Sequence, residues 1–255
     1  MYVVALAELG ATVEAETPAL AVDLGVTPYE VRLLLTAGLP AIVLATPELA
    51  RATSLFEVLR NRKHGVVVCD SAATVTHASM VSMQRFRLDA DAVVADDPGA
   101  AETRLDYEDI HALLRATHRQ SVVATGTVRE RHFRAGAAIM TMGVVNSKTT
   151  VREVKTEREE REEVLYAFRR SGATPWILRE SAQFLGLGQD LGPTRHGNFL
   201  TTIRLLRERS RFARYDERLL SRRKLPELFP GNDGVDLLAN VLSLWFAGAK
   251  DPYRK

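Results

Sequence analysis

The chain has 255 residues, 46% of them hydrophobic, with 34 Lys and Arg against 32 Asp and Glu, and a single cysteine, Cys69. That is enough apolar material for one large core or two ordinary ones. One cysteine excludes an internal disulfide framework and any zinc site built from several cysteines, and a net charge of +2 is far from the strongly basic balance of a polyanion-coating protein. The first 20 residues carry Glu8, Glu14 and Glu16 and no Lys or Arg, unlike an export signal. No apolar run approaches the roughly 18–20 residues needed to cross a bilayer, so the expected location is the cytoplasm, with no membrane span. Arg outnumbers Lys 28 to 6, a bias typical of coding in a GC-rich bacterium. Residues 1–80 hold five basic and eight acidic side chains and the remainder 29 and 24, an asymmetry that supports two modules.

In chain order, "MYVVALAEL" reads as a strand and "GATVEAETP" as a turn. Ala19, Leu20, Val22 and Leu24 make a short helix that Gly25 ends in a left-handed conformation. Thr27-Pro28 looks like an N-cap and first helical position, with Glu30 reaching back as in a capping box. Val31, Leu34 and Leu35 share one face of that helix, and Gly38 stops it. "LPAIVLAT" reads as a buried strand. Pro47 opens a helix whose stripe is Leu49, Ala52, Leu55, Phe56 and Leu59, His64-Gly65 closes it, and "VVVCD" is a last strand.

The order of strand, helix, helix, strand, helix, strand, and the stretch "DLGVTPYEVRLLLTAGLPAIVLATPELARATSLFEVLRNRKHGVVVCD", resemble the carboxy-terminal domain of bacterial ribosomal protein L7/L12, a fold shared by the adaptor ClpS. The resemblance covers about residues 1–72 and implies a small βααβαβ sandwich that serves as a docking surface for another protein. The factor-binding face of that ribosomal domain is rich in lysine, whereas the matching stretch here offers Asp23, Tyr29, Glu30 and Arg32.

"SAATVTHASMVSMQ" reads as a linker, spanning about 73–84. After it, "RFRLDADAVVADDPGAAETRLDY" predicts two strands around a turn at Asp97-Pro98-Gly99, and Glu108 to His118 a short helix with Ile110, Leu113 and Leu114 inward. "SVVATGTV" and "AAIMTMGVV" are β-rich patches. "SKTTVREVKTEREEREE" mixes charges without apolar periodicity and predicts a solvated loop or hairpin tip, with a charged exposed helix as the alternative. "EVLYAFRRSG" and "TPWILRESAQFLGL" return to strand pattern around a Ser171-Gly172 turn. Asn198 is expected to cap a helix whose Phe199, Thr202, Ile203 and Leu206 share one face. Strands followed by a closing helix over roughly 85–215 are faintly similar to a pleckstrin-homology-type barrel, which implies a peptide- or protein-binding role. The first hairpin here carries Asp89, Asp91, Asp96 and Asp97 where lipid-binding members place basic residues.

No catalytic, cofactor or metal signature stands out. Gly186, Gly188 and Gly192 in "GLGQDLGPTRHGNF" lack the Lys-Ser/Thr pair of a phosphate loop and read as a long turn stiffened by Pro193. Cys69 at a strand end would need a base to become a nucleophile, with His64 nearby, and reads better as a buried cysteine. His111 and His118 would make two metal ligands without a third. Residues 195–224 hold ten basic side chains against three acidic ones, so Arg204, Arg207, Arg211 and Arg214 are candidates for a polyanion, alternatively a solvated helix face. The last segment, 221–255, contains a helix from about Val235 to Ala247. By default it docks on its own domain, or it is presented to a partner's groove with Trp245 and Phe246 as anchors.

The expected class is therefore α+β: a βααβαβ sandwich at 1–72, a mixed, mainly antiparallel β domain at 85–220, and a closing helical segment. The expected function is a non-catalytic adaptor or regulatory module with a protein partner and no cofactor, for which Tyr29, Arg32, Trp245 and Phe246 are the candidate contacts. An RNA- or ribosome-associated factor using 195–224, and an enzyme with an unrecognised site, are the alternatives. The sequence does not set the oligomeric state.

Overall fold

Tyr2–Glu8, nearly all apolar, forms β1, and its neighbours follow in the predicted order. They are α1 (Val13–Leu24), α2 (Pro28–Thr36), β2 (Ala41–Thr46), α3 (Leu49–Asn61) and β3 (Gly65–Asp70). The computed structural model describes residues 1–96, 104–132, 148–220 and 233–248. Gly25, at φ 68°, ends α1 in the left-handed region, which costs a residue without Cβ nothing. The capping box of α2 is complete: Thr27 Oγ1 accepts from Glu30 N–H at 3.3 Å, and the Glu30 carboxylate accepts from Thr27 N–H at 2.7 Å. α3 starts at Leu49 with Glu48 as N-cap, two residues after the proline expected to open it.

These strands make an antiparallel three-stranded sheet in the order β2-β1-β3. Alternation along β1 sends Val4 and Leu6 to the α1–α3 side, where they pack with Leu20, Val31, Leu35, Leu55 and Leu59. Ala5 and Ala7 face the other way. That second face is covered by α5 (Asp233–Gly248): Val241 packs on Ala5 and Val67. The approach is close enough that a Cβ on Gly65 would lie 2.7 Å from the Trp245 ring.

The far side of α5 sits on a mixed five-stranded sheet, β12-β8-β9-β10-β4. Its strands are β4 (Val81–Ser82), β8 (Ile110–His132), β9 (Lys148–Arg169), β10 (Trp176–Arg179) and β12 (Arg214–Leu219). Leu238 and Leu242 of α5 pack on Ala112, Leu114, Val164, Tyr166 and Ile177. The alternate residues Leu113, Leu165, Ala167, Trp176 and Leu178 enter the next core. That core is shared with a four-stranded sheet, β11-β5-β6-β7, built from β5 (Arg85–Leu88), β6 (Ala92–Ala95), β7 (Arg104–Asp106) and β11 (Gln183–Gly186). It is closed by α4 (Arg195–Arg209) through Phe199, Ile203 and Leu206. The chain is thus α+β with mixed sheets and a closing helix. Met1–His118 and Glu162–Lys255 make one compact unit, and Arg119–Arg161, the later part of β8 and the earlier part of β9, make a second.

Several expectations are corrected, the first being the turn at 10–18, since Thr12 caps α1 and the helix starts at Val13. Residues 108–118 are not a helix: a single 3-10 turn, Tyr107–Asp109, leads into β8. Over Ile110–His118 the strand is buried on both faces, so Ile110, Leu113 and Leu114, all fully buried, imitate helical spacing. The charged stretch 147–163 is not a loop, because its residues from Lys148 on belong to β9; ladder hydrogen bonds to β8 need no apolar periodicity. Asn198 is not the cap of α4. Thr194 is, accepting from Gly197 N–H at 3.1 Å. Asn198 lies inside the helix and clasps the backbone of Gly192 through both its amide oxygen and nitrogen. Thr194→Ala is therefore expected to cost ~0.5–2 kcal/mol in a urea titration. The Ser171-Gly172 turn is present between the antiparallel β9 and β10, and the 97–99 turn and the "AAIMTMGVV" patch lie outside the described residues. The stretch 73–84 contains β4, paired with β10.

Candidate functional site

The candidate contact residues fall at two places. Tyr29 is 70% exposed, and Arg32 donates from Nε to the Pro28 carbonyl at 3.3 Å, both on α2. Trp245 and Phe246 are on α5, partly buried against the core between α5 and the five-stranded sheet, on the other side of the β2-β1-β3 sheet from α2. The four do not form one surface. Nor do the candidate arginines. Arg204 pairs with Glu208 at 3.1 Å along α4, Arg207 lies 4.0 Å over the Tyr215 ring, and Arg211 is exposed. Arg209 is drawn inward to the Asp89 carbonyl and the Tyr107 hydroxyl.

Arg214 is different, because β12 carries it to α5, where its guanidinium lies 5.5 Å over the ring of Phe246. Both line a cleft of about 1210 Å³ between the last turns of α5 and the ends of β3 and β9. Arg169 and Arg170 line it too, with Phe212 and Leu244, which are 59% and 48% exposed. Asp70 is the one acidic side chain among the described lining residues, and Asp109 pairs with Arg169 at 2.6 Å, so Arg214 and Arg170 set against apolar walls give the cleft its positive character. Cys69 and His111 also reach it. Burial, with the Asp70 carboxylate adding to it, pushes the Cys69 thiol up to about 11, which leaves little thiolate at neutral pH. Burial also lowers the His111 pKa, keeping that imidazole, held against Ser243 at 3.1 Å, in its neutral form. His64 is occupied elsewhere. Its Nδ1 accepts from Gly10 N–H at 3.1 Å and its Nε2 faces the Glu16 carboxylate at 3.1 Å.

A second constellation lies at the other end of α5. Asp236, 1% exposed, accepts on Oδ2 from the backbone N–H of His77 at 2.8 Å and faces His77 Nδ1 at 2.6 Å. On Oδ1 it accepts from the Tyr166 hydroxyl at 2.7 Å. The Tyr166 oxygen is 2.5 Å from His118 Nε2, and His118 Nδ1 is 3.5 Å from Arg179 Nη1, itself paired with Glu162 at 3.2 Å. Burial pushes the Asp236 carboxyl upward, but the hydrogen bonds from His118, His77 and Tyr166 outweigh it and hold the group below the ordinary carboxylate value. Tyr166 moves the opposite way, raised well above a normal phenol by burial and by the Asp236 charge.

Sequence reasoning found Arg214 and Phe246 but assigned them to different sites, and it missed His77, Tyr166, Asp236, Arg169 and Arg170. The network joins residues from four remote segments, so no local spacing announces it. The local sign is a pair of aspartates, Asp233 and Asp236, in the first turn of a mainly apolar helix. No family model, no curated protein and no solved structure matches the chain.

Proposed function

We propose that the chain works by binding, as an adaptor or regulatory module, and that the cleft takes a short protein segment combining acidic and apolar side chains. The observation that carries this is the Arg214 guanidinium over the ring of Phe246, beside exposed Phe212 and Leu244, in a wall with Arg170. A cation held over an aromatic face keeps its charge directed at an incoming carboxylate while the neighbouring rings desolvate the contact. Arginine and aromatic anchors are also what hot spots favour. An RNA-contacting role for 195–224 has less support, since Arg204, Arg207, Arg209 and Arg218 are engaged with Glu208, Tyr215, Tyr107 and Asp216.

Selection from a random peptide library displayed on phage tests this reading. The expected peptides place Asp or Glu beside Leu, Phe or Trp, and bind Arg214→Glu at least ~10-fold more weakly by fluorescence anisotropy, with Phe212→Ala also weakened and both variants keeping the wild-type thermal midpoint. Enrichment without acidic residues, unchanged affinity in Arg214→Glu, or tighter salt-sensitive binding of labelled poly(U) than of any selected peptide overturns it.

A further inference from the structure

The Asp236 network contains more metal-ligating capacity than a structural hydrogen-bond cluster needs. His77 Nδ1, His118 Nε2 and an Asp236 carboxylate oxygen all lie within 4.8 Å of one another, the one such grouping of three found among the described residues. They come from the 71–80 stretch, β8 and α5, and Tyr166 of β9 stands beside them. The protons are tightly constrained. One phenol proton lies between His118 Nε2 and Asp236 Oδ1, two groups that would each accept it. The cluster without metal is satisfied only if that proton goes to Asp236, His118 carries its own proton on Nε2, and Nδ1 accepts from Arg179 at 3.5 Å, the outer limit of such a bond.

We propose that His77 Nδ1, His118 Nε2 and the Asp236 carboxylate bind one divalent transition-metal ion of the zinc class, with Tyr166 hydrogen-bonded to the carboxylate oxygen that does not ligate. Two imidazole nitrogens and one carboxylate suit zinc and disfavour calcium or magnesium, which take oxygen ligands. Metal–ligand distances of about 2.1 Å place neighbouring donors roughly 3.0–3.5 Å apart. His77 Nδ1 is 2.6 Å from Asp236 Oδ2, while His118 Nε2 is 3.6 Å from the other oxygen, Oδ1, and 2.5 Å from the Tyr166 hydroxyl, so loading the ion requires His77 to draw back and His118 to turn off Tyr166 toward Oδ2.

The proton balance closes without any further reactant. Each neutral imidazole gives its lone pair to the ion and carries its proton on the other ring nitrogen, so none is released. One carboxylate and two neutral imidazoles around a dication leave the site with one net positive charge. When Nε2 ligates, the His118 ring proton sits on Nδ1, so Arg179, which lies 3.5 Å from that atom and is paired with Glu162 at 3.2 Å, turns away from it. The bound ion ties the 71–80 stretch, β8 and α5 together, and its binding energy becomes folding energy.

Tag-free full-length protein, stripped with a chelator and dialysed, tests this by titration with Co2+ and then Zn2+. One Co2+ per chain is expected, with a visible d–d spectrum of low coordination number that Zn2+ abolishes, and a rise in the thermal midpoint with either ion. His77, whose side chain is about one quarter exposed, can be changed with little risk to folding. His77→Gln is expected to lose the spectrum and bind at least ~100-fold more weakly, beyond the ~10–100-fold cost of an outer-shell change. His196→Gln, at a half-exposed histidine paired with Glu180, keeps wild-type binding. A folded wild-type protein that shows neither spectrum nor midpoint shift with excess ion, or His77→Gln binding as tightly as wild type, overturns the proposal. Peptide binding in the cleft is a separate readout at the other end of α5, so the two proposals fail independently.

Discussion

Asp236→Ala, in protein stripped of metal and kept in chelator, is expected to lower the unfolding free energy by about 3–5 kcal/mol in urea. The carboxylate is 1% exposed and accepts from the backbone N–H of His77 and the Tyr166 hydroxyl, with the His77 ring against it at 2.6 Å. Removing it strands the buried Tyr166 hydroxyl and leaves the His77 N–H without its acceptor. Asp236→Asn keeps the volume and separates size from charge. The carboxyl is held below its ordinary value of 3.8 because the hydrogen bonds to its ionised form outweigh the upward push of burial. A group whose folded pKa lies below its unfolded one adds stability that is present in full above the unfolded value and is lost as pH falls through the folded value. The wild-type advantage over Asp236→Asn should thus be level at neutral pH and shrink only below about pH 4. An advantage that grows as pH falls below 7 would show that the carboxyl is protonated in the folded state, and one unchanged down to pH 2 that folding does not shift its pKa.

Leu238→Ala is expected to cost ~2–5 kcal/mol, and to do so in one transition. Leu238 is fully buried among Ala112, Leu114, Tyr166 and Ile177, while Val241, on the same helix, sits on Ala5 and Val67 of the first sheet. The two tryptophans report on the two sides: Trp245 packs beside Gly65 of β3 and Trp176 lies in the core shared with α4. Single-tryptophan variants, Trp176→Phe and Trp245→Phe, should therefore unfold at coincident urea midpoints and shift together when Leu238→Ala is added. If α5 were a helix held out for a partner, Leu238→Ala would leave both midpoints in place.

The order of the first six elements could be read from local signals, although α1 starts at Val13, inside the stretch read as a turn, and α3 at Leu49. Thr27, Pro28 and Glu30 start α2, Gly25 ends α1, and Val31 and Leu35 mark the buried face. What misled was burial from both sides. In β8 successive residues from Ile110 to Ala116 enter different cores, so the alternation that identifies a half-exposed strand disappears. For Asn198 and Thr194, both residue types cap helices, and only the geometry distinguishes the cap from the clasp on Gly192. The site residues were less legible still, since His77, His118, Tyr166 and Asp236 meet only after four segments have assembled.

Placing the shared helix so late in the chain has a consequence for biosynthesis. β3 ends at Asp70 and α5 begins at Asp233, so about 160 residues leave the ribosome between a sheet and the segment that seals it. At roughly 5–20 residues per second, the Ala5 and Val67 side of the nascent sheet stays bare for on the order of ten seconds. Throughout that interval it is an apolar surface open to any holding chaperone.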